Sequence, residues 1–362
     1  MIRPNPFRLR FRVQALITLL LCTIAAPLTA QQPPPPPGAY DAAPYLGEIR
    51  NEYVYGDIWE RPGLSARDRS MITVAVNQSL YATYELRLHM GRALDNGVTQ
   101  AEISEIVAHV LWYAGFPTGV NAARVAAEVF EERGLPTSPP GASSRQPPTD
   151  PELEFPGAFP QTPYLRDLLN QVVYAETWMR EELSPRDRSM ITVAVGTALY
   201  ASSEVRYHVG RALDNGVTPD EIAEIITHVT FYAGFPTGVN AARVAQEVME
   251  GRGIDLPEAR FPAAPYLDEL LDTLVYGETW TRTDRLSARD RSLVTIAMTQ
   301  AAYQTDQLRV HLRRGLDNGI TPEELSELMA HLTLYAGFPS GVNGSRTLAE
   351  VFQERGIPLP SQ

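Results

Sequence analysis

From Thr99 onward the apolar positions Ile103, Ile106, Val107 and Val110 fall at i, i+3, i+4 and i+7, the spacing of a helix with one face toward a core. Thr99 and Glu102 in front of them form a capping box, in which the Thr side chain and the Glu three residues on satisfy each other's free backbone N–H groups. The box recurs at Thr218 and Glu221 and at Thr321 and Glu324, now with Pro219 and Pro322 at the first helical position. Upstream, Ser65 followed by Asp68 predicts another helix start. The helix carrying Glu85 and His89 is expected to stop at Asp95-Asn96-Gly97, where Asn or Gly takes positive φ. Gly115-Phe116-Pro117 breaks the Ile103 helix, and a last helix from Pro117 is expected to reach Gly134. No stretch shows a convincing strand alternation, so the pattern predicts an all-α module.

That module is written three times, at 39–135, 163–255 and 262–358. Residues 137–162, rich in Pro, Ser and Gly, read as a linker, and 31–38, with five consecutive prolines, as a stiff spacer. Residues 1–30 read as a signal peptide: four Arg, an apolar run from about Ala15 to Ala26, then small residues ending at Ala30. The run is short for a membrane span, and the expectation is an exported, periplasmic or secreted protein with no membrane attachment after cleavage.

Charge narrows the partners. The chain carries −12, and loss of the four leader Arg takes it to −16, which argues against nucleic acid. The one cysteine, Cys22, lies in the leader, so the remaining chain has no thiol for disulfides or thiol peroxidase chemistry.

All six His fall in two slots per module: His89 and His109, His208 and His228, His311 and His331. Tyr81, Glu85 and His89 are four apart and are expected to stack on one helix face, with Glu85 lifting the His89 pKa for general acid–base work. Tyr200, Glu204 and His208 repeat the arrangement, whereas Gln307 precedes His311, so the third site is expected to be impaired. The plain alternative is an exposed ion pair worth a few tenths of a kcal/mol. His109 and His228, each four residues before a Tyr, are candidate substrate-binding groups or core histidines. Arg67 and Arg69, with Arg186 and Arg188, can hold a substrate carboxylate or pair with acidic residues of a neighbouring module. Trp59, Trp178 and Trp280 recur and read as core filling. No metal-ligand spacing is recognisable, and the sites are expected to hold no metal.

At these residues the sequence resembles the carboxymuconolactone decarboxylase family, with its alkylhydroperoxidase D-like fold. The matching run is Leu64-Ser-Ala-Arg67-Asp-Arg-Ser70, Glu85-Leu-x-x-His89, Ala93-Leu-Asp-Asn-Gly97-Val-Thr99, Glu102-Ile-x-Glu105-Ile and Tyr113-Ala-Gly-Phe-Pro117. The resemblance implies helical domains that assemble into trimers or hexamers with sites near subunit contacts. Three modules in one chain would then form an intrachain pseudo-trimer, and two chains a dimer of pseudo-trimers. The peroxidase branch has a Cys pair where Ala82 and Glu85 stand here, so its activity is not implied. What the resemblance implies instead is cofactor-independent decarboxylation of a small anionic lactone or keto acid, with His89, Glu85, His208, Glu204 and His311 catalytic. Tyr81, Tyr200, His109, His228 and the four Arg would then bind substrate. The rival reading is a non-catalytic helical scaffold or small-ligand binder.

Overall fold

The computed structural model describes residues 40–136 and 161–359; the expected leader, the spacer and nearly all of the linker lie outside them. From Ala43 the chain forms one compact unit of helices, with no strand among the described residues. Module 1 comprises α1 (Pro44–Ile49), continued by a wider-turned segment Arg50–Val54, a 3₁₀ turn Ile58–Glu60, then α2 (Ala66–Ser79), α3 (Thr83–Asp95), α4 (Gln100–Ala114) and α5 (Phe116–Glu132). Module 2 repeats this as α6 (Pro163–Leu168), α7 (Pro185–Ala198), α8 (Ser202–Asp214), α9 (Pro219–Ala233) and α10 (Phe235–Gly251). Module 3 has α11 (Tyr266–Leu270), α12 (Ala288–Ala301), α13 (Thr305–Asp317), α14 (Pro322–Ala336) and α15 (Phe338–Arg355).

The helix ends follow their local chemistry. Ser65, Ser184 and Ser287 each accept from the N–H three residues on, and all three Thr capping boxes form. Gly97, not Asn96, takes the positive φ after α3, at +85°, and Gly134 does so after α5 at +65°.

Modules 1 and 2 form a reciprocal pair. Helix α2 lies against its counterpart α7, α9 crosses α2, and α4 crosses α7. Every residue of α2 from Asp68 to Ser79 is therefore buried, polar ones included, and one hydrophobic core runs through both modules. The buried charges are paired across the contact, as burial of charge requires. Glu224 accepts from Arg61 Nε at 2.9 Å and from Arg69 Nη2 at 3.1 Å, and Glu105 accepts from Arg180 Nε at 2.6 Å and Arg188 Nη1 at 3.0 Å.

Module 3 joins differently. Its first segment lends Phe261, Ala263, Ala264, Leu267 and Leu271 to the shared core, while its main helices enclose a core of their own around Ile296, Leu312, Leu325 and Phe352. Tyr53 donates to Glu278 at 2.9 Å and the Arg61 guanidinium lies 3.7 Å over the Tyr266 ring. The expected pseudo-trimer is thus met in the number of modules but not in their equivalence: the architecture is a pair plus one.

Candidate active site

Helix α3 turns Leu86, His89, Met90 and Ala93 inward. The His89 ring stacks on Trp59 of the 3₁₀ turn at 5.9 Å and 14° between planes, and Tyr232 of module 2 meets it edge-on at 5.5 Å. Trp59 Nε1 donates to the Tyr232 hydroxyl at 2.8 Å, and His228 stands 5.2 Å from the Trp59 ring. A second pocket repeats this with the modules exchanged. His208 stacks on Trp178 at 6.0 Å, Tyr113 meets it edge-on at 5.3 Å, Trp178 Nε1 donates to Tyr113 at 2.9 Å and His109 stands 5.1 Å from Trp178. Each pocket takes one histidine from each module.

Protonation follows from hydrogen bonding. Thr73 Oγ1 donates its only proton to the Arg69 carbonyl at 2.7 Å, and Thr192 donates to that of Arg188 at 2.8 Å. Each Thr oxygen must therefore accept from the imidazole that lies 2.8 Å away, His228 Nε2 and His109 Nε2 respectively. Those rings are Nε2–H tautomers, with a lone pair at Nδ1. The Nδ1 atoms of His89, His109, His208 and His228 are all buried, with no hydrogen-bond partner among the described residues. Burial, then the neighbouring arginines, lowers the pKa of all four, His89 and His208 to about 3. At neutral pH the pockets hold uncharged imidazoles.

Beside them lies an arginine with no counter-ion among the described residues. Arg92, one turn beyond His89, is 7% exposed, and among the described residues its guanidinium pairs with no carboxylate; its polar neighbours are the Tyr55 and Tyr232 hydroxyls. It rests on aromatic faces instead, 3.9 Å over Trp59 and 4.7 Å over Tyr55. Arg211 lies 4.7 Å over Trp178 and 5.0 Å over Tyr174, with its Nε buried and unpartnered. Its Nη1 donates to the Tyr207 hydroxyl at 3.3 Å, and an open groove lined by Tyr207, Arg211, Asp214, Asn215 and Arg252 reaches this arginine from outside. A buried cation without a carboxylate costs free energy unless something anionic completes it.

Several sequence expectations are corrected. Glu85 and Glu204 are exposed and make no hydrogen bond or ion pair with His89 or His208 among the described residues. The imidazoles are drawn under the tryptophans while the carboxylates stay in water, so the histidine pKa falls rather than rises. Tyr81 and Tyr200 are not on the histidine helices at all; they sit in the preceding turns at φ +57° and +58°. Arg69 and Arg188 are fully buried and hold Glu224 and Glu105, while Arg67 reaches Asp187 at 3.1 Å and Arg186 reaches Asp68 at 3.3 Å. Each of the four makes an ion pair to the other module. Trp59 and Trp178 are buried, as core filling requires, and each also carries a stacked histidine. Arg92 and Arg211 escaped the reading, although His89/Arg92, His208/Arg211 and His311/Arg314 repeat one i, i+3 spacing.

The third pocket is half built. His311 stacks on Trp280 at 6.1 Å, Arg314 lies 4.9 Å over the same ring, and burial with Arg314 lowers the His311 pKa to about 4. His331 and Tyr335, its module's contribution to an opposite pocket, are exposed. The third site therefore differs chiefly in lacking the second module's His and Tyr, rather than in the Glu-to-Gln change at Gln307.

A family model described as carboxymuconolactone decarboxylase family matches residues 44–128, 163–247 and 265–350. Among individual proteins, the chain is 39% identical over 85 residues to a 4-carboxymuconolactone decarboxylase of Acinetobacter baylyi, covering 24% of this chain and 63% of that protein. It is 40% identical over 75 residues to a nitrosuccinic acid decarboxylase of Metarhizium robertsii, covering 21% of this chain and 52% of that one. An uncharacterized 15.0 kDa protein of Paracoccus denitrificans is 30% identical over 83 residues, 22% of this chain and 62% of its own length. Each match spans less than two thirds of the relative.

Proposed function

This chain belongs to the carboxymuconolactone decarboxylase family, and on that premise we propose that its two complete pockets decarboxylate a small anionic acid carrying a conjugated carbonyl or lactone. The observation that carries the reading is Arg92, a buried guanidinium without a carboxylate among the described residues, beside the neutral imidazole of His89 and its unpartnered Nδ1 against Trp59. Both curated relatives with a named activity are decarboxylases of small acids.

In such a reaction the bond to the carboxylate breaks, its electron pair moves into the carbonyl system, CO2 leaves, and one proton is added to the substrate. An arginine on the departing carboxylate would stabilise charge that disappears in the transition state, so Arg92 does more on the carbonyl oxygen or a second carboxylate, where charge persists or grows. The anion entering the pocket offsets the burial that holds His89 neutral, and the ring takes up a proton from solvent. His89 then returns that proton to the substrate, so that an anion and a proton become a neutral C–H and CO2. Trp59 and Tyr232 keep water from the developing enolate. His208, Arg211, Trp178 and Tyr113 play the same parts in the second pocket. These steps need no group beyond the chain and its substrate.

CO2 release from a panel of small lactone and β-keto acids tests the proposal. The His89→Ala/His208→Ala and Arg92→Met/Arg211→Met variants are expected to lose turnover by at least about 100-fold. Turnover that survives both double substitutions refutes it. The export expectation rests on the leader sequence. No helix of the described residues is long and apolar enough to cross a membrane, and N-terminal sequencing after expression in a secreting host checks for cleavage.

A further inference from the structure

We propose that module 3 is the docking face for module 3 of a second copy of this chain, and that this union completes two more pockets of the kind shared by modules 1 and 2.

The reciprocal pair shows what each module needs. Ile72 and Ile191 are 0% exposed, and Val76 and Val195 are 0% and 1% exposed, because α2 and α7 cover each other. The corresponding Val294 and Met298 on α12 are 62% and 48% exposed. Tyr335, where the pair half-buries Tyr113 and Tyr232 against tryptophans, is 79% exposed, and His331 is exposed beside it. Leu334, Phe338 and Val342 are also exposed but carry no weight here, since their module 1 counterparts Trp112, Phe116 and Val120 are exposed too.

The polar groups are just as unfilled. Arg291 keeps the bond of Arg69 and Arg188 to a carbonyl, donating to Arg282 O at 2.8 Å, but has no carboxylate among the described residues. Glu327, at the position of Glu105 and Glu224, is exposed and has no cation among them. Thr295 donates to Arg291 O at 2.8 Å, as Thr73 does to Arg69 O, so its oxygen is ready to accept from an imidazole Nε2 that the chain does not bring to it. Module 3 thus carries both halves of a self-complementary contact: Arg291 with Glu327, Thr295 with His331, Trp280 with Tyr335.

The occupant is identified by elimination within the molecule. In the pair, no module satisfies its own Thr with its own His; Thr73 meets His228 and Thr192 meets His109. The matching faces of modules 1 and 2 are already taken by each other. A second chain supplies both missing halves at once, and a two-fold contact closes without leaving either half open. In that assembly His331 and Tyr335 of each copy reach the other's His311, Trp280 and Arg314, so the third site becomes whole only between chains.

Light scattering coupled to gel filtration on the full chain at tens of micromolar is expected to give the mass of two chains; the mass of one overturns the proposal. Arg291→Glu and Glu327→Arg each set like charges against one another twice, and each is expected to weaken dimerisation by at least about 100-fold. Mixing the two variants restores opposite charges at both contacts, so a two-chain species is expected to return only in the mixture. Variants that stay dimeric alone, or a mixture that stays monomeric, overturn this face or its register. Should circular dichroism show either variant unfolded, Met298→Arg gives the same mass readout from a side chain already half in water. Mass is read without turnover, so the outcome stands apart from the reaction proposed above.

Discussion

Arg92→Met should raise the stability of the protein while removing its activity. The guanidinium is 7% exposed, its nitrogens are buried, and no carboxylate among the described residues pairs with it. Burying an ion this way costs several kcal/mol after relaxation. Against that stand its contacts with Trp59 at 3.9 Å and Tyr55 at 4.7 Å, together about 1–3 kcal/mol. Met is apolar and of similar reach, and its sulfur recovers about 0.3–1.5 kcal/mol against the same rings. The balance favours the variant by about 1–2 kcal/mol, which for a cooperative unit of this kind raises Tm by roughly 2–8 °C. Arg69→Met is the control: that side chain is fully buried as well, but Glu224 and a carbonyl hold it. Its loss breaks a buried pair, at about 3–5 kcal/mol. Thermal and urea unfolding, followed by tryptophan fluorescence, separate the two. If Arg92→Met destabilises the chain as much as Arg69→Met does, Arg92 is a structural cation and the anion pocket is wrong.

Acid should loosen the pair through its histidines. Folded His89 and His208 have pKa values lowered to about 3 from 6.5, so the unfolded chain binds more protons between these values. Stability is full above 6.5 and falls as pH drops toward 3, by up to ~1.4 kcal/mol per pH unit per histidine. His89→Gln with His208→Gln should flatten the urea midpoint between pH 6.5 and 4.5, and an unchanged slope would count against burial as the cause. Thr73→Val strands the His228 Nε2–H and should cost about 1–3 kcal/mol, with Thr73→Ser restoring it; equal costs for the two variants would contradict the tautomer assignment. Glu224→Gln leaves Arg69 facing a neutral amide and should lower stability by about 3–5 kcal/mol, against no loss if the pair is dispensable.

What could be read from the chain was what the backbone decides locally. Ser65, Thr99 and Gly134 act on N–H and C=O groups within a few residues, so the caps and helix ends were legible. The pocket was not, because Tyr232 and His228 reach Trp59 across more than a hundred and fifty residues of chain. The four-residue spacing of Glu85 and His89 places them on neighbouring parts of a helix surface. It says nothing about which of them faces water, and burial decided that. For Arg67 and Arg69 the sequence held two answers, and the acidic partners of the second, Asp187 and Glu224, come from the neighbouring module. The recurrence of Trp59, Trp178 and Trp280 was visible, but its meaning depended on the arginine that follows each histidine.

The tie between modules 1 and 2 also bears on how the two pockets can diverge. In an assembly of identical subunits, every substitution is copied into all sites at once. Here His89 with Tyr232, and His208 with Tyr113, are written at separate places in one gene, so each cluster can change without the other. They already differ: Arg92 is sealed at 7% exposure, whereas Arg211 borders an open groove. One polypeptide thereby carries two related clusters, free to diverge separately.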